Sequence, residues 1–249
     1  MNNNEKPSVN IVLPVYNEAA ELAASVGTLV RFLSKNCTDF FWHVTIADNA
    51  STDDTLRIAR ELSHTYQTVS VNHLSQKGRG RAVKHVWRKD SYDYLAYMDI
   101  DLSTDLKHLP QLLHALERGF DIAIGSRNAR GARVFGRSAL RSLTSKGYIA
   151  LIKMIFWVNF TDAQCGFKAV TRRVITELLP HIKDNDWFFD SELLIVGEKS
   201  GFRLYEEPVT WVDNPGSTVR VMKTAIGDLR GLWRLCIQRP WRTLRYGRY

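Results

Sequence analysis

The sequence predicts an α/β fold: a mostly parallel sheet with helices on both faces, carrying an amphipathic helix at its C-terminal end. Three observations lead there. Short β-branched apolar runs alternate with segments of helical period, the pattern of βαβ units. Each of the first four runs is followed by a polar loop bearing an acid or a lysine. With 45% hydrophobic and 11% aromatic residues in 249, the chain can fill one such core, assigned to residues 1–220, leaving residues 221–249 as a basic helix and tail.

Val9-Asn-Ile-Val-Leu-Pro14 reads as a buried first strand, with Val15-Tyr-Asn-Glu18 as its loop and a helix over residues 19–34. Residues 41–47 form the second strand. It runs into Asp48-Asn-Ala-Ser-Thr-Asp-Asp54, where Ser51 or Thr52 suits the cap of a helix ending near Thr65. A third strand at residues 69–73 precedes Gln76-Lys-Gly-Arg-Gly-Arg81, which opens a helix ending near Lys89. Tyr94-Leu-Ala-Tyr-Met98 is the fourth strand. Further on, Asp190 suits the cap of an apolar helix over residues 191–199, stopped by Gly201.

In a parallel sheet, ligands bind beyond the carboxyl ends of the strands. The first four loops therefore bring Glu18, Asp48, Lys77 and the pair Asp99/Asp101 to one crevice. Residues i and i+2 of an extended chain face the same side, so Asp99 and Asp101 suit one hard cation, Mg2+ or Mn2+. The turn after the first strand lacks glycine, and no Gly-x-x-x-x-Gly-Lys-Ser/Thr stretch exists. A bound nucleotide diphosphate would therefore need that cation.

Seven motifs in this order resemble family 2 glycosyltransferases of GT-A fold: Pro14-Val-Tyr-Asn-Glu18, Asp48-Asn-Ala-Ser-Thr-Asp53, Lys77-Gly-Arg79, Asp99-Ile-Asp101, Gly125-Ser-Arg127, Asp162-Ala-Gln-Cys-Gly-Phe-Lys168 and Trp187-Phe-Phe-Asp-Ser-Glu-Leu193. The last two look like those of polyprenyl- or dolichyl-phosphate sugar synthases, and the resemblance spans roughly residues 9–220. It implies metal-dependent transfer of a hexose from a nucleotide sugar, GDP-mannose or UDP-glucose, to a polyprenyl or dolichyl phosphate. It also implies that Pro14, Tyr16, Asn17, Glu18 and Asp48 hold base and ribose, with Lys77 and Asp99 counted among the donor-binding residues. Asp48 also suits a helix cap or Asx turn, and Tyr16 suits packing. Asp101, with Asp99, carries the metal; Arg127 and Arg141 take the acceptor phosphate; Asp162 orients the acceptor or acts as a base, and is equally suited to capping its loop. A phosphate acceptor is already largely ionised at neutral pH, so the expected course is direct displacement with inversion.

Two positions depart from the family pattern. Ser103 stands where a metal-binding glutamine is common, and Arg220 is the substitute for a cation near the donor diphosphate. Beyond it, Met222, Ala225, Ile226, Leu229, Leu232, Trp233 and Ile237 recur near helical spacing, flanked by Arg230 and Arg234. With Trp241 and the basic tail they suit a membrane interface. The formal net charge of +8 is concentrated in residues 127–153 and after residue 219. Such blocks also attract nucleic acid, but no nucleic-acid motif is present and Asp48, Asp99 and Asp101 would repel phosphates without a metal. Three widely spaced cysteines fit a reducing compartment. The expected location is cytoplasmic, peripheral on the cytosolic face of a membrane. The alternative reading is a family 2 transferase with a non-lipid polysaccharide or glycan acceptor.

Overall fold

Alternation along each central strand divides the core into two halves. The fold is given by a computed structural model that describes residues 6–213 and 225–244 and the backbone of 221–224; Arg220 and residues 245–249 lie outside the described residues. In chain order the elements are β1 (Ser8–Val15), α1 (Leu22–Asn36), β2 (Phe41–Asn49), α2 (Thr55–Thr65), β3 (Val69–Leu74), α3 (Arg79–Lys89), β4 (Tyr94–Met98) and α4 (Leu109–Glu117). Then come β5 (Ile122–Ser126), β6 (Arg133–Phe135), α5 (Ala139–Phe156), β7 (Phe167–Thr171), α6 (Phe189–Lys199), β8 (Leu204–Pro208), β9 (Thr210–Val212) and α7 (Val221–Gln238). The main sheet has the order β3-β2-β1-β4-β7-β5-β8. All its pairings are parallel except those of β7, which runs against both β4 and β5. A second, two-stranded sheet joins β6 to β9.

Val9, Ile11, Leu13 and Val15 of β1 enter the core shared with α1, α2 and α4. Val12 and Tyr97 enter the other core, shared with α3, α5, α6 and α7. Period-2 side-chain direction therefore sets which face Asp99 leaves from: that of Tyr97. Chain order reverses between β1 and β4, so the crevice opens at the carboxyl ends of those two strands.

Three local expectations change. Helix α2 starts at Thr55, because Ser51 Oγ accepts from Asn17 N (3.0 Å) and Thr52 N donates to Asn17 Oδ1 (2.8 Å), which spends both expected caps on the neighbouring loop. Helix α6 starts at Phe189 with Asp190 inside its first turn, where the carboxylate is buried in ion pairs and caps nothing. Gly201 closes α6 as expected: at φ +85° its N–H bonds Glu198 O and that of Phe202 bonds Gly197 O. The third change concerns α7. Its inner side packs on α6, with Leu232 and Leu235 in the core, Gly231 against the Phe188 ring and Arg234 on Glu192 at 2.9 Å. Trp241, expected at headgroup level, lies edge-on to Phe156 at 5.9 Å.

Asp228 is the one acid of α7, and it is buried with Gln164 Nε2 donating to it at 2.8 Å. Burial pushes its carboxyl up to about 7. The folded value thus exceeds the unfolded one, so the stabilising effect of the neutral carboxyl is full below about pH 4 and is lost as pH rises through about 7. Asp228→Asn is expected to raise the melting temperature at pH 8 and to flatten its dependence between pH 5 and 8. Parallel thermal melts of the two proteins over that range check this; equal slopes would contradict it.

Candidate active site

The loops after β1, β2 and β3 are laced together. Asn17 sits at φ 57°, and its neighbour Glu18 donates its N–H to Thr55 Oγ1 at 2.7 Å. Asn49 Oδ1 accepts from Gly78 N at 2.7 Å, fixing the third loop to the second. Lys77 Nζ lies 3.2 Å over the Tyr16 ring. Asp48 is fully buried: His73 Nδ1 donates to it at 2.6 Å, and Ser51 N reaches its other oxygen at 3.3 Å. Pro14, the last but one residue of β1, pairs with Ala47 beside it. The donor-binding residues expected from sequence, Arg220 apart, are therefore brought together. Burial, then the charges of Glu21, Asp101, Asp53 and Asp99, push Glu18 up to about 7. Glu18 thus feels the same negative field as the Asp99/Asp101 pair.

Behind that pair stands a buried chain of charges that sequence reasoning did not foresee. Arg79, one residue into α3, donates Nη2 to Asp99 and Nη1 to Asp190 Oδ2 (2.6 Å). Its guanidinium lies 5.2 Å from the Tyr97 ring centroid and 5.0 Å from that of Trp187. Lys168 Nζ, fully buried, completes Asp190 at 2.8 Å, and Tyr97 OH donates to the same carboxylate. Burial acts to raise Asp190, but Lys168 and Arg79 outweigh it and hold the carboxyl below its usual range. For Asp99 the balance is opposite: burial and the neighbouring acids exceed the pull of Arg79, and its carboxyl is raised. Gly166 makes this packing possible, since a Cβ there would overlap the Asp99 carboxylate and crowd Arg79 Nη2.

Among the described residues no three His, Cys, Asp or Glu side chains converge as a metal cage. The donor set instead suits a cation that brings its own ligands. Asp101 accepts from Ser103 N (3.0 Å) and Ser103 Oγ (2.7 Å), so Ser103 orients the carboxylate. A hard dication held by one or two carboxylates and completed by phosphate oxygens and water is the usual Mg2+ arrangement. The residues fit that group, with Asp101 the freer of the two acids, because Asp99 already holds Arg79.

The expected phosphate arginines are both engaged. Arg127 grips Asp162 through Nε (2.7 Å) and Nη2 (2.9 Å), while Arg141 Nη1 contacts both oxygens of Asp213 at 2.8 and 2.7 Å. Burial would raise Asp162, but Arg127 and the N–H groups of Arg127 and Gln164 hold it down at about 2. A carboxylate that acidic is a poor base, and its contacts here are with Arg127 and the Gln164 N–H. Trp211 of β9, not singled out by sequence, lies beside Arg127 at 5.5 Å. Arg127→Ala would leave Asp162 buried without its counter-charge and is expected to cost about 3 kcal/mol of unfolding free energy. Urea unfolding of Arg127→Ala and of Arg127→Ala with Asp162→Asn checks this, the second change restoring part of the loss.

Glycosyl transferase family 2 matches residues 10–179, more than half of the chain. Glycosyltransferase AglD of Haloferax volcanii is 33% identical over 236 residues, covering 92% of this chain but only 38% of AglD. Dolichyl-phosphate beta-glucosyltransferases of Dictyostelium discoideum and Saccharomyces cerevisiae are 26% and 27% identical, over 91% and 86% of this chain and 73% and 69% of theirs. Mannosyl-3-phosphoglycerate synthase from Rubrobacter xylanophilus shares the fold with a TM-score of 0.70 at 15% identity, covering 98% of this chain and 77% of that one. Glucosyl-3-phosphoglycerate synthase from Mycobacterium tuberculosis, solved with Mn2+, UDP and phosphoglyceric acid, follows at 0.69 and 16%, covering 93% and 79%. Such distant likeness bears on the fold, which is GT-A. With the family matched across most of the sheet and its loops, the chain belongs to glycosyl transferase family 2 and is a glycosyltransferase.

Proposed function

We propose that this enzyme transfers a hexose from a nucleotide sugar to a polyprenyl or dolichyl phosphate, with inversion, at the cytosolic face of a membrane. The observation that carries the lipid acceptor is the outer surface of α5 and α7. Both helices rest on α6, through Tyr148–Ser191 and Arg234–Glu192. Outward they expose Leu140, Leu143 and Met154, then Ile226, Leu229, Trp233 and Ile237, with Trp157 just beyond α5 at 85% exposure. Neither helix exposes an acid: α5 has none and Asp228 of α7 is buried. Apolar side chains among basic ones suit an anionic lipid surface. No helix among the described residues is long and apolar enough to cross a membrane.

On the donor side, the laced loops bind base and ribose, and Asp101 with Asp99 holds Mg2+ or Mn2+ on the diphosphate. The bound cation supplies Lewis-acid stabilisation of the leaving nucleoside diphosphate. Arg79 keeps Asp99 in place, and Lys77 on Tyr16 borders the nucleotide. The two relatives named as dolichyl-phosphate beta-glucosyltransferases favour glucose over mannose as the hexose. The test is incubation with UDP-glucose or GDP-mannose, Mg2+ or Mn2+, and a short polyprenyl phosphate. An organic-extractable, mild-acid-labile sugar product supports the reading. Transfer only to a polysaccharide or glycan acceptor would replace it with the non-lipid alternative.

A further inference from the structure

The basic cluster beside Asp162 holds three arginines, and they are not equivalent. Arg127 and Arg141 each face a carboxylate, so each pair is neutral as it stands. Arg137, on the link between β6 and α5, forms no hydrogen bond or ion pair with any described residue. Its guanidinium stacks near Trp211 at 5.9 Å, on the ring that Arg127 also approaches. Burial first, then repulsion from Arg127, lowers its pKa; the pull of Asp162, the push of Arg141 and the pull of Asp213 follow in that order, so two carboxylates serve three guanidiniums. A half-buried cation beside two others is short of an anion. Leu140 and Leu143, three and six residues on, are each 70% exposed, so an apolar surface begins where the unpaired charge ends.

We propose that Arg137 is a further phosphate-binding residue for the acceptor beside Arg127 and Arg141, taking the phosphate monoester of an amphiphile whose chain lies over Leu140 and Leu143. This rests on the functional reading above. Arg127 uses Nε and Nη2 on Asp162, and Arg141 uses Nη1 on Asp213, so Arg127 Nη1 and Arg141 Nη2 remain to complete the contact. A dianion thus meets one uncompensated guanidinium and the free edges of two neutral pairs, without either buried pair having to break. Trp211 borders the Arg137 guanidinium, and a guanidinium offers a planar two-point grip where an ammonium offers a point charge.

The experiment is steady-state kinetics with citronellyl phosphate as acceptor at saturating sugar nucleotide, for the wild type, Arg137→Gln and Arg137→Lys. Loss of a charge-assisted hydrogen bond is expected to raise the acceptor KM of Arg137→Gln roughly 10–100-fold, with kcat changed less than about threefold. The lysine variant should fall between, and sugar-nucleotide affinity and melting temperature should stay the same. Inorganic phosphate should compete with the acceptor in the wild type and much less in Arg137→Gln. An unchanged acceptor KM, or an equal loss of donor affinity, overturns the proposal. If the wild type does not use citronellyl phosphate at all, the functional reading fails instead. Arg137 is then judged by calorimetry with inorganic phosphate alone, whose binding must still weaken in Arg137→Gln for the anion site to stand.

Discussion

Asp101→Asn is expected to lower turnover by about three orders of magnitude while leaving the fold intact. A neutral amide binds a hard dication far less well than a carboxylate, and several kcal/mol of leaving-group stabilisation go with the cation. The side chain is half-buried at the crevice mouth and, among the described residues, hydrogen-bonds Ser103 alone, so little else there depends on its charge. Ser103→Ala, which merely loosens the carboxylate, should cost far less. Sugar transfer assayed with and without chelator, beside circular dichroism of the variant, decides it. Near-normal turnover of Asp101→Asn in the presence of chelator would remove the metal from this site.

The second large effect belongs to the outer face of α7. Leu229→Glu with Trp233→Glu is expected to weaken adsorption to vesicles containing anionic lipid by roughly three orders of magnitude. Two large apolar side chains lose their burial, at about 1.5–3 kcal/mol each, and two charges of the wrong sign are added. Both positions point outward, Trp233 being 70% exposed, so the melting temperature should hardly move. Removing residues 240–249 should matter less than a purely basic tail would suggest, since Trp241 is folded against Phe156. Raised salt should weaken the wild type only in part, because screening beyond about 8 Å acts on the charges and not on the apolar contact. Flotation of the double variant at wild-type levels would move the membrane contact elsewhere.

The strands and the first three loops were legible because their signals are local. β-branched runs mark β1 to β3 and an apolar, aromatic run marks β4, and a ligand crevice at a parallel sheet's carboxyl edge follows from topology alone. Asp99, Asp101, Glu18 and Lys77 could be placed together on that basis. What stayed hidden depends on long-range register. Asp190 precedes an apolar helix and reads as a cap; only the fold shows Lys168 and Arg79 reaching it from 22 and 111 residues away. Nothing in the spacing of Arg127 and Asp162 tells a free guanidinium from a paired one, and the same holds for Arg141 and Asp213. The antiparallel insertion of β7, which carries Lys168 into the core between β4 and β5, leaves no periodic trace distinct from a parallel strand. Trp211 lies on a three-residue strand too short to show any pattern.

Gly166 sets the tightest clearance in the site. Asp99 N donates to Gly166 O at 3.0 Å, where β4 meets β7, so the spacing between the two backbones is fixed by the sheet. The gap above Asp99 cannot widen without parting those strands. A single methyl at position 166 would push the carboxylate off Arg79, which with Tyr97 OH ties the end of β4 to α6. The alignment of the donor edge with the helix that supports α5 and α7 is therefore gauged by one hydrogen atom. The closest packing beside Asp99 falls at a residue that offers no functional group.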